Sequence, residues 1–240
     1  FENIFDSINV DSEKTYEDKF TKLLSNLNVC MQKGLSEMFD STIGAGTVLM
    51  PFGGKYELTP QESMAAKIPL IKGETKTATV MSYGYDNEMA KKSPFYSGVY
   101  AIIHSIAKIV ATGCDIDKAY LTLEEYFKKL GADKARWGEP MQALLGAFLA
   151  QEKLNIAAIG GKDSMSGSFE NIDVPPTLVS FAVTTDKIKN IISPEFKGAG
   201  HKVIMLKPEY TKDNLPCAES LKKIFTLVTK LMREGKVFSA

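Results

Sequence analysis

Between Ser93-Pro94 and Gly113 the chain places Val99, Ile102, Ile103, Ile106, Ile109 and Val110 at helical spacing on one face. This predicts a strongly apolar helix, opened by a capping serine with proline at its first turn and stopped by glycine. Residues 77–83 and 177–183 alternate polar and apolar side chains instead, as half-buried strands do. Helix and strand signals mixed along one chain predict an α/β (α+β) domain over about residues 40–185.

The remaining segments fill out that plan. Tyr16, Phe20, Leu23, Leu27, Met31, Leu35 and Met38 recur every three or four residues, which predicts a helical lead-in over 1–39 with Asp11 or Ser12 as N-cap. A small-residue loop from Asp40 feeds a short strand that Pro51-Phe52-Gly53-Gly54 breaks. Further on, the pattern predicts a strand at 118–123, a short helix at 124–130, and a helix at 140–153 with Pro140 in its first turn. A buried strand at 155–159 then runs into a loop spanning 160–168. Composition shifts at 191–200, where Pro194, Gly198 and Gly200 follow a polar stretch, so a domain spanning 40–192 is expected to end there. Beyond it come a strand at 202–206, a helix carrying Leu221, Ile224, Phe225, Val228, Leu231 and Met232 with Gly235 at its end, and a strand-like tail at 237–240. So short a stretch cannot bury a complete core. Residues 201–240 are therefore expected to open a second, incomplete unit, and a chain that starts at Phe1 is expected to be a piece of a longer one.

Charge narrows the function. Lys plus Arg and Asp plus Glu each number 29, so no global field exists to hold nucleic acid or an anionic membrane. Only Arg136 and Arg233 carry guanidinium groups, which leaves phosphate recognition to backbone amides, hydroxyls and lysine. Cys30, Cys114 and Cys217 form no CxxC pair, as expected of a reducing compartment. With no membrane-length apolar run and no signal peptide, a soluble cytoplasmic protein is expected.

The strongest chemical signal is Gly160-Gly161-Lys162-Asp163-Ser164-Met165-Ser166-Gly167-Ser168. Two glycines after a strand let backbone approach a ligand, while Lys162 and the serines offer donors to a phosphate. It is not a Walker A loop, since Ile156 stands where that motif needs its first glycine and Asp163 follows the lysine. The same residues could equally make a glycine-serine hairpin with a solvated Lys-Asp pair, and Asp163 could meet a metal. Thr47, closing the 41–47 loop, could present a donor to the same ligand. His104 and Lys108 lie together on a helix flank, where a lone histidine is more often structural than catalytic. Asp86-Asn87-Glu88 could offer oxygen to Mg²⁺ or form a solvated turn, and Trp137 is expected to anchor a loop on the core.

Three segments together resemble one family, the large single-chain phosphoribosylformylglycinamidine synthases of purine biosynthesis: residues 39–54, Ser93-Pro94-Phe95-Tyr96-Ser97-Gly98-Val99-Tyr100-Ala101, and Ile159-Gly160-Gly161-Lys162-Asp163-Ser164-Met165-Ser166. The resemblance implies a PurM-like N-terminal half-domain, a mixed sheet covered by helices, from the second of two tandem copies, followed by the truncated start of a PurM-like C-terminal half-domain. It implies a glutamine amidotransferase and ATP-dependent, magnesium-using ligase that converts formylglycinamide ribonucleotide to formylglycinamidine ribonucleotide. Its catalytic segment and glutaminase domain would lie outside these residues, so this chain alone is expected to hold no catalytic residue and no activity. Thr47, Gly160, Gly161, Lys162 and Ser164 would bind the substrate phosphate. The implied partners are the phosphoribosyl substrate and the rest of the polypeptide, with homodimer pairing through the sheet face expected and no nucleic acid or membrane. Family members that retain ADP and Mg²⁺ in this copy use a helical Glu and an Asn four residues later, where this sequence has His104 and Lys108. A contact from Lys108 or His104 to a nucleotide or anion is therefore expected at most, with no tightly bound cofactor.

Overall fold

A computed structural model describes residues 9–38 and 46–240. The chain forms two compact units, Phe1–Ser41 and Thr42–Ala240.

In the first unit the expected single helix is two, α1 (Tyr16–Leu24) and α2 (Lys33–Glu37). Ser25, Asn26 and Asn28 interrupt it: Asn26 Oδ1 accepts from the Asn28 amide at 2.8 Å and Ser25 Oγ donates to the Thr21 carbonyl, the local bonding by which such side chains compete with a helix. The N-cap is Thr15, not Asp11 or Ser12; its hydroxyl accepts from the Asp18 amide at 3.1 Å. Neither helix has a buried residue.

The second unit is built on a six-stranded mixed sheet of β1 (Thr47–Leu49), β4 (Ser63–Lys67), β5 (Thr77–Gly84), β10 (Thr177–Lys187), β6 (Tyr120–Tyr126) and β7 (Ala158–Ser164), in that spatial order. Every pairing is antiparallel except β6 with β7, which α5 (Lys134–Leu154) connects as a crossover. Two ribbons, β2 (Phe52–Gly53) with β3 (Thr59–Pro60) and β8 (Ser168–Phe169) with β9 (Ile172–Asp173), complete the strands. The loop expected over 40–46 lies almost wholly outside the described residues.

One face of the sheet is covered by α4 (Pro94–Ala111), as its apolar stripe requires. Most strand residues buried on that face are small, Ala65, Ala78, Ser82, Ser180 and Ala182 among them, with Val80 and Leu178 the larger ones. Helix and sheet thus come close enough for Ser82 Oγ to donate to the Ser105 carbonyl at 2.6 Å and for the Ser105 and Ser180 hydroxyls to pair at 2.8 Å. α5 packs across α4, and α6 (Ala218–Arg233) seats Ala218, Leu221 and Phe225 in the same core. Thr229 Oγ1 of α6 donates to the Cys114 carbonyl at 3.1 Å, and Arg233 pairs with Asp186. Gly235, at φ +68°, ends α6 as its position suggests.

Several elements depart from the sequence pattern. Residues 124–130 form no helix, because Glu124 and Glu125 are paired on both sides, with β10 and with β7, and two ladders outweigh glutamate's helical preference. The helix expected at 140–153 starts at Lys134, where Asp133 accepts from the Ala135 amide at 2.9 Å, so Pro140 sits in the helix interior. The strand expected at 155–159 starts at Ala158, since Asn155 is the left-handed C-cap of α5 at φ +59°. Short α3 (Asn87–Lys92) follows Asp86, whose Oδ1 accepts from the Met89 amide at 2.9 Å, so this acidic trio caps a helix. Residues 202–206 and 237–240 are not paired as strands. Trp137 remains 57% exposed and bonds the Gly131 carbonyl, so it ties a turn without reaching the core.

Candidate functional site

The glycine-lysine-serine run is not a loop up to Ser164; it forms the edge strand β7. In the parallel register Gly160 stands beside Thr122, Lys162 beside Glu124 and Ser164 beside Tyr126, while Gly161 stands beside Leu123 and Asp163 beside Glu125. Alternation therefore puts Gly160, Lys162 and Ser164 on one face of the sheet and Gly161 and Asp163 on the other, with buried Leu121 and Glu125. The two glycines have different reasons. A Cβ on Gly161 would run into the Leu123 carbonyl, so packing demands glycine there. At Gly160 a Cβ would meet nothing nearer than Thr122 Oγ1 at 4.0 Å, so space is left open on the Lys162 face.

Beyond Ser164 the chain is held by backbone bonds. The Phe127 amide donates to Ser164 O, the Gly167 amide to Phe127 O, and the Val174 amide to Gly167 O, each at 2.9 Å. Ser164 and Ser166 hydroxyls pair at 2.8 Å, and Lys162 Nζ donates to the Asp163 carbonyl at 3.0 Å. Lys162 forms none of the ion pairs found among the described residues, although Glu124 is its register neighbour. A lysine and two hydroxyls on an exposed sheet edge can bind an anion.

Thr47 does not join them. It lies in β1, at the opposite edge of the sheet, five strand spacings or on the order of 24 Å from β7. Within this chain it cannot share a phosphate with Lys162 and Ser164.

Glu125 carried no sequence signal and is the buried acid of the region. Burial, and next the charge of Asp163, push its carboxyl above the ordinary range. Two carboxylates alone do not amount to a protein-held metal site, and no cluster of three metal-capable side chains occurs among the described residues.

The α4 pair is also accounted for. Lys108 Nζ lies 2.8 Å from Glu62 Oε2 and 4.3 Å from the centre of the Tyr83 ring, so its charge is already met. His104 packs edge-on against Tyr100 at 5.8 Å. Partial loss of hydration, then the Lys108 charge, hold its imidazole below the ordinary value. A lysine already paired with Glu62, next to a histidine nitrogen, does not suit Mg²⁺, which takes oxygen in near-octahedral geometry. Glu62 and Tyr83 were invisible as partners of Lys108, being far from it in sequence.

No protein-family model matches the chain. It is 21% identical over 189 residues to the phosphoribosylformylglycinamidine synthase subunit PurL of Methanobrevibacter smithii, an alignment covering 79% of this chain and 24% of that protein. Among solved structures, Thermotoga maritima PurL complexed with AMPPCP superposes with a TM-score of 0.60 at 17% identity, over 88% of this chain and 32% of that one. The same protein complexed with FGAR gives 0.57 at 17% identity, over 86% and 30%. The chain thus spans about a quarter of the length of its curated relative. It shares the mixed α/β fold of Thermotoga maritima PurL.

Proposed function

We propose that this chain supplies one PurM-like half-domain, residues 40–192, and the opening of a second, residues 201–240, to an ATP-using ligase of purine biosynthesis. That ligase converts formylglycinamide ribonucleotide to formylglycinamidine ribonucleotide with ammonia released from glutamine elsewhere in the enzyme. The observation carrying this reading is the β7 strip: Lys162 and Ser164 share a sheet face with the open space at Gly160. Their part is to bind the substrate phosphate, a task of charge and hydrogen bonding that needs no arginine. The uncovered sheet face suits a partner domain. Met81, Val179 and Phe181 lie half-buried on it between exposed Tyr83, Tyr120 and Tyr126. Val203, Ile204 and Met205, an apolar run that is 79%, 74% and 75% exposed and pairs with no strand, support the reading of 201–240 as the opening of a further half-domain.

In the full-length enzyme, Lys162→Met and Ser164→Ala should each weaken substrate binding by about 1–3 kcal/mol, the worth of a charge-assisted contact. An unchanged Michaelis constant in both variants overturns the phosphate role.

A second reading is favoured by the Lys108–Glu62 pair: a half that has lost its own nucleotide and metal, and serves the interface. The Lys162→Met and Ser164→Ala variants separate the two, since this reading leaves the Michaelis constant unchanged, and it is overturned by a large Mg²⁺-dependent gain in calorimetric titration with ADP.

A further inference from the structure

A cavity of about 240 Å³ opens where α4, α5 and α6 converge, away from the β7 strip. Val99 and Ile103 of α4, Leu149 and Leu154 of α5, and Leu215 and Leu221 form its apolar walls. The segment leading into α6 closes one side and is strapped to α4 by two phenols. Tyr96 OH donates to the Asp213 carbonyl at 2.8 Å and Tyr100 OH to the Asn214 carbonyl at 3.1 Å. The Thr211 amide, donating to Leu215 O at 2.8 Å, folds that segment on itself.

Charged groups stand only at the mouth: Lys153 in the last turn of α5 and Glu219 in the first turn of α6. Cys217 Sγ donates to Glu219 Oε2 at 3.1 Å. That bond, and next one from the Glu219 amide, hold the Glu219 carboxyl below its ordinary value, with smaller contributions from the charges of Lys222 and then Lys153. Lys153 forms none of the ion pairs found among the described residues.

Size and charge together narrow the guest. Drug-sized ligands occupy roughly 300–1,000 Å³, so this cavity suits a body of about a dozen heavy atoms or fewer. Apolar walls ask for a hydrocarbon or aromatic side chain. One cation and one anion at the mouth ask for a carboxylate and an ammonium on the same small molecule. We propose that the cavity binds a free apolar α-amino acid, its side chain among Ile103, Leu149 and Leu221, its carboxylate at Lys153 and its ammonium at Glu219. This site is independent of the phosphate-binding reading of β7.

The test uses the whole chain with L-leucine and L-phenylalanine. Cys217 lines the cavity, so occupancy should slow its alkylation by iodoacetamide, followed by peptide mass spectrometry, while Cys30, which does not line it, keeps its rate. Calorimetry should give the same saturation midpoint. Lys153→Met and Glu219→Gln change surface side chains and should leave the melting temperature in place. Each should weaken binding about tenfold or more, the loss of one charge-assisted contact. The uncharged 4-methylpentan-1-ol serves as the control for a merely greasy hole. The proposal is overturned by absence of both heat and Cys217 protection with the two amino acids, by equal protection from the alcohol, or by unchanged affinity in both variants.

Discussion

Gly98 of α4 and Gly146 of α5 face each other across a helix crossing in which neither has room for a methyl group. A Cβ on Gly98 would overlap the Ala143 carbonyl, and one on Gly146 the Phe95 carbonyl. Buried Ala143, Ala147 and Ala150 extend the same close approach along α5. Gly98→Ala or Gly146→Ala should therefore destabilise the protein by about 1–3 kcal/mol or more, although alanine favours helix. Urea denaturation followed by circular dichroism measures this. A gain in stability for either variant would mean that the helices are farther apart than described.

The β7 glycines should behave oppositely to one another. Gly161→Ala pushes a methyl at the Leu123 carbonyl and should cost about 1–3 kcal/mol of stability. Gly160→Ala enters open space and should leave the melting curve nearly unchanged. If Gly160→Ala nonetheless weakens substrate binding in the full-length enzyme, the space is used by a ligand. Equal melting curves for the two variants would contradict the register given for β6 and β7.

His104 reports on Lys108. The lowered imidazole value means that the unfolded chain binds a proton more readily, so its contribution to stability is present above about pH 6.5 and is lost as pH falls through that value towards the folded one. Removing the neighbouring charge with Lys108→Met should raise the His104 pKa and shrink this acid-side loss. Proton NMR of the imidazole between pH 5 and 8 gives the shift directly, with an unchanged or lower value counting against the placement of Lys108.

At the far end of α6, burial pushes the Asp186 carboxyl up, but hydrogen bonds from Asn190, the Lys187 amide and Arg233 outweigh it and hold the group below its ordinary value. Its stabilising contribution is thus present above the unfolded value and lost as pH falls through the folded one. Arg233→Met should destabilise by about 1–3 kcal/mol near neutral pH and by less in acid. Thermal melts at the two pH values test this; a destabilisation that grows with acidity has the wrong sign.

Cys114 is fully buried, and burial, followed by the Asp186 charge, pushes its thiol up to about 12. In the native protein it should resist iodoacetamide at pH 8 while Cys30 and Cys217 react, and become reactive only in denaturant.

What could be seen in the sequence was whatever depends on one segment alone. The stripes of α4 and α6, the alternation of β5 and β10, and the stop at Gly235 all depend on local period and backbone freedom, and they appear as expected. β4 was missed because Ser63-Met64-Ala65-Ala66-Lys67 has no β-branched residue; its alanines are there to let α4 approach. Glu124 and Glu125 suggested helix, and Gly160 and Gly161 suggested loop, because pairing between strands distant in the chain leaves no local trace. The same holds for the site. Lys162 and Ser164 stood out by composition, whereas the distance of Thr47 and the bonding of Lys108 to Glu62 are facts of sheet order and helix packing.

The central position of β10 also orders events during synthesis. β5 and β6 are consecutive strands in the chain, separated by α3, α4 and the 3-10 turn Ile116–Lys118, yet they do not pair; β10 lies between them and bonds to both. Until residues up to Lys187 have left the ribosome, the sheet lacks its middle, and the apolar stripe of α4 has only two separate pieces of sheet, β1-β4-β5 and β6-β7, to cover. A nascent chain of this protein must hold those isoleucines exposed or loosely collapsed until that strand arrives, a slow, non-local closure and the stage at which chaperone capture or aggregation would compete with folding.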